Sequence, residues 1–555
     1  MDQAPPPPPR SDERSILLGL ASVRREADGH RTLRVRWVYL AGLLVGGFAL
    51  LWLLMASILY FYFKLYRDFE DETFANMLFL PFQYQEHQQK LGEYYLRVAD
   101  EDLKAQHWVE ALQDYRMGLI KSPHNLHARQ MLAYMYLGLY GQQEIDRALS
   151  ILADGLPDAL NDPDYINTYL QQLQHYNRDQ QAITDCQTYL ALNPANDKVR
   201  RVLALNLASF LIQDGNFDRA DETIEHYHLD DHIEGVLLQG QSLWERGRHK
   251  AAIAYLETAF PRFPDPDRDS LYAILSRYYR DLGDLDRSRQ YTVLRAATNP
   301  MSVMPRIELL YIEAKSGQKD AVEADSKTLI DQFSTDQNAM LTLANFATDQ
   351  GNVPLAQRIY ERAIENQFDL TAFSLLLIEA HLSASDFDGA LTFIDQIDQE
   401  KPAWLANSQA IFDSLRAVAE YGKGRSDLAD IFLSNILKQY APRPETLVAI
   451  ATRFQSLGGL SQAQRLLRFA VHKDPNNQMA LVQLITVDLQ LADSAELETN
   501  LTRLLTMRRP PLELILDAYR KLGSDHFIFV THRERLLDEL NEQIQKATAQ
   551  QQADV

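Results

Sequence analysis

Residues 37–63, WVYLAGLLVGGFALLWLLMASILYFYF, carry no charged side chain, and a run of that kind decides how a chain must meet its solvent. As a helix these 27 residues extend about 40 Å at 1.5 Å per residue, enough to cross a hydrocarbon core about 30 Å thick with some tilt. Fourteen of them are Leu, Ile, Val or Phe, each favouring insertion near the helix centre. Trp37 and Tyr39 at one end, and Tyr60 and Tyr62 at the other, suit the two membrane interfaces. Core helices of soluble domains rarely run this long without one polar break. The segment therefore predicts a single membrane-spanning helix over 37–63.

Its flanks predict which way it points. Arg24, Arg25, Arg31, Arg34 and Arg36 precede the run, whereas only Lys64 and Arg67 follow closely. The positive-inside rule keeps the arginine-rich side in the cytoplasm, so the expectation is an uncleaved signal anchor in the cell (inner) membrane, with everything after Phe63 extracytoplasmic. The first 36 residues hold the run Pro5 to Pro9, seven arginines and five acids. That composition buries little, and a disordered tail is expected there.

Composition excludes other classes of function. With 55 Lys plus Arg against 76 Asp plus Glu, the formal charge of -21 repels a phosphate backbone, so nucleic acid is not an expected partner. The one cysteine, Cys186, falls on a helical apolar pattern and is expected to be a small buried residue.

From about residue 90 onward the chain shows paired apolar helical stripes separated by short turns, with no sustained strand-like alternation. A small residue, a larger one a turn later and a closing proline recur with fixed spacing: Ala111, Tyr115, Pro123; Ala182, Cys186, Pro194; Ala252, Leu256, Pro264; Ala463, Leu467, Pro475. Other copies carry Gly215, Phe217 and Ala220, or Gly351, Val353, Ala356 and Tyr360. Degenerate ones carry Ser288 or Ala390 at the small position. The small residue lets two helices of a hairpin approach, and the large one fills the gap toward the next unit.

These residues and the period near 34 resemble the tetratricopeptide repeat family. The resemblance implies an all-α fold: a TPR-like α-solenoid of about twelve helical hairpins, preceded here by one transmembrane helix. The chain then divides into the tail 1–36, the membrane helix 37–63, a juxtamembrane helical linker 64–91, the repeat array 92–508 and C-terminal capping helices 509–555. One hairpin cannot bury its apolar face alone, so stability comes from stacking and the ends need caps. The linker holds the apolar cluster Phe74, Met77, Leu78, Phe79, Leu80, Pro81 and Phe82. It has three possible destinations, the first repeat, the outer leaflet or a partner helix, and packing on the first repeat is the favoured expectation.

If the family geometry holds, the first helix of each unit lines a concave groove. That implies a partner-binding surface formed by Leu237, Gln241, Trp244, Arg277, Arg280, Ile307, Tyr311, Leu341, Asn345, Val418 and Tyr421, with a peptide or helix as occupant. The Lys, Asn and Arg set with which some members hold C-terminal carboxylates has no counterpart here.

Chemistry beyond binding finds little support. His226, His228, Asp230, Asp231, His232 and Glu234 form the densest ligand-like cluster, but side chains two apart on a helix diverge, so no metal site is expected. Asp265, Asp267 and Asp269 alternate like the start of a calcium loop, yet Ser270 stands where glycine is needed, and an N-cap by Asp269 explains more. Phosphate loops, nucleophile elbows and zinc-protease motifs are absent. The expectation is a non-enzyme with no cofactor and no small-molecule substrate: a membrane-anchored scaffold that binds protein partners in an envelope assembly. A cytoplasm-facing adaptor of a membrane enzyme or protease is the alternative, ahead of an enzymatic or carbohydrate-binding solenoid.

Overall fold

Leu33 and Val35 alternate with Thr32 and Arg34, the period-two pattern of a strand. In the computed structural model this segment is β3 of an antiparallel meander, with β1 (Glu13–Ile16) paired to β2 (Ala21–Arg25) and β2 to β3 (Arg31–Val35). The disorder expected for 1–36 is thus corrected over these residues. Proline and charge content masked a short alternating pattern that needs only a partner strand. The structure describes residues 13–16, 21–25, 31–35, 37–66, 69, 72–139, 141–440 and 442–552, so the run Pro5 to Pro9 lies outside the described residues.

The chain divides into two compact units, Met1–Met135 and Tyr136–Val555. The first contains the meander, α1 (Trp37–Phe61) with a π-helical turn over Tyr62–Tyr66, α2 (Phe74–Leu78), α3 (Tyr84–Lys104), α4 (Trp108–Lys121) and most of α5 (Leu126–Leu137). Among the described residues one helix, Trp37–Tyr66, is long and apolar enough to cross a membrane, and nearly all of it is exposed. The hairpin α3–α4 starts at Tyr84, inside the linker expected over 64–91. Its helices meet closely: a Cβ on Gly92 would lie 2.7 Å from that of Ser122.

The second unit continues with α6 (Gln142–Ala153), α7 (Pro163–His175), α8 (Asp179–Ala191), α9 (Asp197–Gln213), α10 (Phe217–His226), α11 (Ile233–Glu245), α12 (His249–Ala259), α13 (Arg268–Asp281), α14 (Leu285–Thr298), α15 (Met304–Lys315), α16 (Lys319–Gln332) and α17 (Gln337–Asp349). Then follow α18 (Val353–Glu365), α19 (Leu370–Ser383), α20 (Phe387–Glu400), α21 (Leu405–Gly422), α22 (Ser426–Gln439), α23 (Pro444–Ser456), α24 (Leu460–Lys473), α25 (Gln478–Leu491), α26 (Leu497–Leu505), α27 (Leu512–Leu522) and α28 (Arg533–Gln552). In the first unit α3 and α4 pair as an antiparallel hairpin; in the second, among the described residues, the helices from α7 to α26 pair as ten more, and α27–α28 form another at the C-terminal end.

Each hairpin turn needs a residue with positive φ after the first helix, where the chain must stop winding. Gly215, Gly247, Gly283, Gly317, Gly351, Gly424 and Gly458 supply it, and Gln106, Asn177, Ser385 and Ala492 occupy the same place without being glycine. After α9 the Asn216 N–H donates to Leu211 O (2.8 Å), closing the last turn before α10 begins. The small residues Ala111, Ala182, Ala252 and Ala463 are fully buried, as is Cys186. One hydrophobic cluster runs unbroken from Ile378 to Leu540 and includes Leu536 of α28, so the final helix covers the last repeat with an apolar stripe.

The second unit also meets itself across more than 300 residues. Arg508, between α26 and α27, donates from Nε (2.7 Å) and Nη2 (2.8 Å) to the carboxylate of Asp179, the buried first residue of α8. The same Nη2 donates to Gln174 O (3.0 Å) near the end of α7. Beside it, Arg509 donates from its N–H to Gln213 O (3.3 Å) and from Nη1 to Glu245 O (3.1 Å), and Asn177 Nδ2 donates to Asn476 O (3.1 Å). The array therefore winds round until its C-terminal end seats on helix ends of its early repeats.

Candidate functional site

The first helices of consecutive hairpins, α9, α11, α13 and α15, face a common open cavity of about 670 Å³. It is lined by Leu205, Asn206 and Ser209 from α9, Glu234, Leu237, Leu238 and Gln241 from α11, Asp269, Ala273, Ile274, Arg277 and Arg280 from α13, and Glu308 from α15. Four of the residues expected in the groove, Leu237, Gln241, Arg277 and Arg280, are brought together here. Helical spacing explains this: positions three and four apart on one helix share a face, and stacking aligns those faces.

The electrostatics of this pocket are divided. Arg295 reaches in from α14 and pairs with both Asp269 (3.2 Å) and Glu308 (2.8 Å), so those two acids are neutralised. Among the described residues Arg277 and Arg280 form no ion pair, and Arg277 lies over the ring of Tyr278 at 5.4 Å. Apolar floor and unpaired guanidinium groups side by side are what a short protein segment needs for an anchor and a polar tether.

The other expected groove residues divide between surface and core. Trp244 is half-buried and stacks flat on Tyr278, with ring centroids 3.7 Å apart at 6°, wedging one repeat against the next. Burial pushes the Tyr278 hydroxyl up to about 12. Tyr311 packs edge-on against Phe346 at 4.8 Å and donates to Asp349. Tyr421 sits likewise on Phe454 at 5.4 Å, and Leu341 is half-buried in the central core. Asn345 is exposed, its amide donating to Leu341 O (2.9 Å). Ile307 (3% exposed) and Val418 (1%) are core residues and offer a partner nothing, which corrects their placement in the groove. Family alignment alone cannot tell the edge of a helix's inner face from its packed flank.

Two residues the sequence reading treated otherwise belong to the pocket. Asp269 caps nothing: α13 begins one residue earlier and the carboxylate instead holds Arg295. Glu308 had no sequence signal, since its partner lies on another helix. Elsewhere, His232 turns to Arg201 (3.0 Å) and His226 to the ring of Tyr227 (4.6 Å), and among the described residues no group of three or more His, Cys, Asp or Glu is arranged to hold a metal ion.

Comparison with known proteins gives the repeats their family. The tetratricopeptide repeat profile matches residues 237–301 and 341–403, the first of which covers most of the pocket's second and third helix pairs. Those two segments thus match tetratricopeptide repeats. No curated protein matches the chain. Among solved structures, a tetratricopeptide repeat protein from Parabacteroides merdae is 14% identical, covering 46% of this chain and 98% of that one, with a TM-score of 0.28. A structure of Naa15/Naa10 bound to HypK-THB is 13% identical over 83% of this chain and 78% of that one, with a TM-score of 0.26. The hetero-tetramer Cut9–Hcn1 is 15% identical over 71% and 96%, with a TM-score of 0.22. Likeness at these scores carries no argument about function.

Proposed function

We propose that this chain is a membrane-anchored, non-catalytic scaffold whose repeat array stands on the extracytoplasmic side and binds protein partners of a cell-envelope assembly. The observation that carries the reading is the pairing of one long, exposed apolar helix, flanked by arginines on its N-terminal side, with an array whose first helices present a pocket of apolar residues and unpaired guanidinium groups. Its mechanism is multipoint binding of a peptide or helix in the groove, with the anchor raising the local concentration of whatever is held near the lipid. Leu237, Gln241, Arg277 and Arg280 are the contact residues proposed, with Trp244, Tyr311, Leu341, Asn345 and Tyr421 shaping the groove from its flanks.

A reporter enzyme active only outside the cytoplasm, fused after residue 555, tests the sidedness. Activity at normal expression supports the reading. Silence, together with fluorescence from a cytoplasm-dependent reporter at the same place, reverses it in favour of an adaptor facing the cytoplasm. Partner recovery by proximity labelling from the C-terminal end, compared between the unaltered chain and Arg277→Glu/Arg280→Glu, tests the groove: the partner set should be lost in the variant while the array stays folded.

A further inference from the structure

The apolar cluster at residues 74–82, expected to pack on the first repeat, folds back along α1. Phe69 N–H donates to Phe63 O (3.0 Å), reversing the chain just past the span, and the ring of Phe74 meets that of Tyr60 at 6.0 Å. Four residues on, the carbonyl of Leu78 accepts the indole N–H of Trp52 (2.9 Å). Trp52 lies eight residues below Tyr60 on α1, about 12 Å at 1.5 Å per residue. The chain then turns and climbs through α3, where the buried His87 meets Glu72 (2.8 Å) and Phe63 (5.1 Å).

From this geometry we propose that residues 74–82 form a short hairpin immersed in the membrane leaflet on the array side of α1, with lipid acyl chains as its occupant. The inference rests on the reading that α1 spans the membrane, but holds for either sidedness. Three observations support it. No charge occurs from Thr73 to Gln85, and Glu86 returns only beside His87, back at the level of Phe63. Phe79 is 51% exposed and Phe82 89% exposed, an apolar tip continuous with the exposed flank of α1. Backbone groups at that depth must be satisfied internally, and several visibly are: Thr73 caps α2, Phe79 and Gln83 donate to Ala75 O and Phe79 O, Pro81 has no N–H, and the orphan carbonyl of Leu78 is taken by Trp52. In water a tryptophan spent on capping a five-residue helix, beneath two bare phenylalanines, would have no such rationale.

The test uses the full chain in phosphatidylcholine nanodiscs, with Cys186→Ala and one cysteine introduced in turn by Phe82→Cys, Leu54→Cys or Glu93→Cys. Each is labelled with an environment-sensitive fluorophore and challenged with nitroxide-bearing lipids and aqueous iodide. The expected result is that position 82 behaves like position 54, quenched severalfold more by the lipid nitroxide than by iodide, while position 93 shows the reverse. Adding Trp52→Phe should move position 82 toward iodide while leaving position 54 in lipid. If position 54 is in lipid but position 82 follows position 93, the hairpin proposal fails and the span stands. Shielding of position 82 from both quenchers means that protein covers it, and overturns the proposal equally. If position 54 is itself quenched by iodide, the span reading fails and takes this inference with it.

Discussion

Helices α1 and α25 are both rich in Leu, Ile and Val, yet one is bare and the other buried. In α25, Ala480, Leu481, Leu484, Ile485, Val487 and Leu489 are all within the core, whereas of α1 only Ala56 is buried. Both satisfy their backbone internally, so hydrogen bonding does not separate them. Length and neighbours do. At 14 residues α25 extends about 21 Å, too short for a hydrocarbon core, and it packs between its hairpin mate α26 and α24 of the preceding hairpin. Among the described residues, α1 is the one apolar helix long enough to make lipid its neighbour. Apolar content states how much surface must leave water; the number of residues before the next turn states where that surface can go.

The largest expected effect separates the two helices outright. Leu50→Lys with Leu54→Lys should release the chain from membranes, since each charge at a helix centre costs about 2.5–3.5 kcal/mol, and should leave the melting of the array unchanged. Ile485→Lys in α25 should do the opposite, costing the array about 4 kcal/mol or more as an unpaired buried charge while leaving membrane recovery intact. Sedimentation with membranes and thermal unfolding in detergent, on the same samples, check both arms.

Next in size is the contact that closes the second unit. Arg508→Ala strands Asp179, which is 4% exposed, and should cost about 2–4 kcal/mol. Hydrogen exchange should quicken at the ends of α7 and α8 and around 506–511, and small-angle scattering should show an expanded particle. An unchanged exchange pattern would mean that the array holds its curvature without the staple.

Smaller still is a pH effect within α25. Asp488 is fully buried with one carboxylate oxygen unpartnered, and burial raises its pKa from the ordinary 3.8 to about 6 despite the Gln464 amide at 2.6 Å. The native state thus binds the proton more tightly than the unfolded chain. Its penalty is full above the native value and is relieved as pH falls from about 6 toward 4. Asp488→Asn should therefore raise stability by about 1–3 kcal/mol near pH 8 and add little near pH 4, measured as the difference in denaturation midpoint. Last comes Ala492→Gly at the turn after α25, where φ is +54°; relief of the left-handed strain should add about 0.5–1 kcal/mol, less whatever the unfolded chain gains in freedom.

Most of the helical architecture was legible because it is local. The turn glycines and the Ala-to-Pro spacing recur in many of the 34-residue units, and those units are hairpins here. What was not legible depends on distant partners. Nothing near Arg508 announces Asp179, 329 residues away. Glu308 and Asp269 join the pocket only because Arg295 bridges two helices. Ile307 and Val418 lay on the expected face by register, but a few tens of degrees of helix rotation decide between groove and core. The meander at 13–35 was hidden by charge, and the fold-back of 74–82 by a single indole that reads as membrane filler until its partner is seen.

The proposed function has α1 held by lipid while the apolar helices of the array are held by protein. Alkaline carbonate extraction of membranes carrying the full chain, with the intact mass of the recovered protein, tests this directly. The chain should stay in the pellet with residues 37–66 still attached, and Leu50→Lys/Leu54→Lys should move it to the supernatant. Recovery of the unaltered, uncleaved chain in the supernatant would contradict the account.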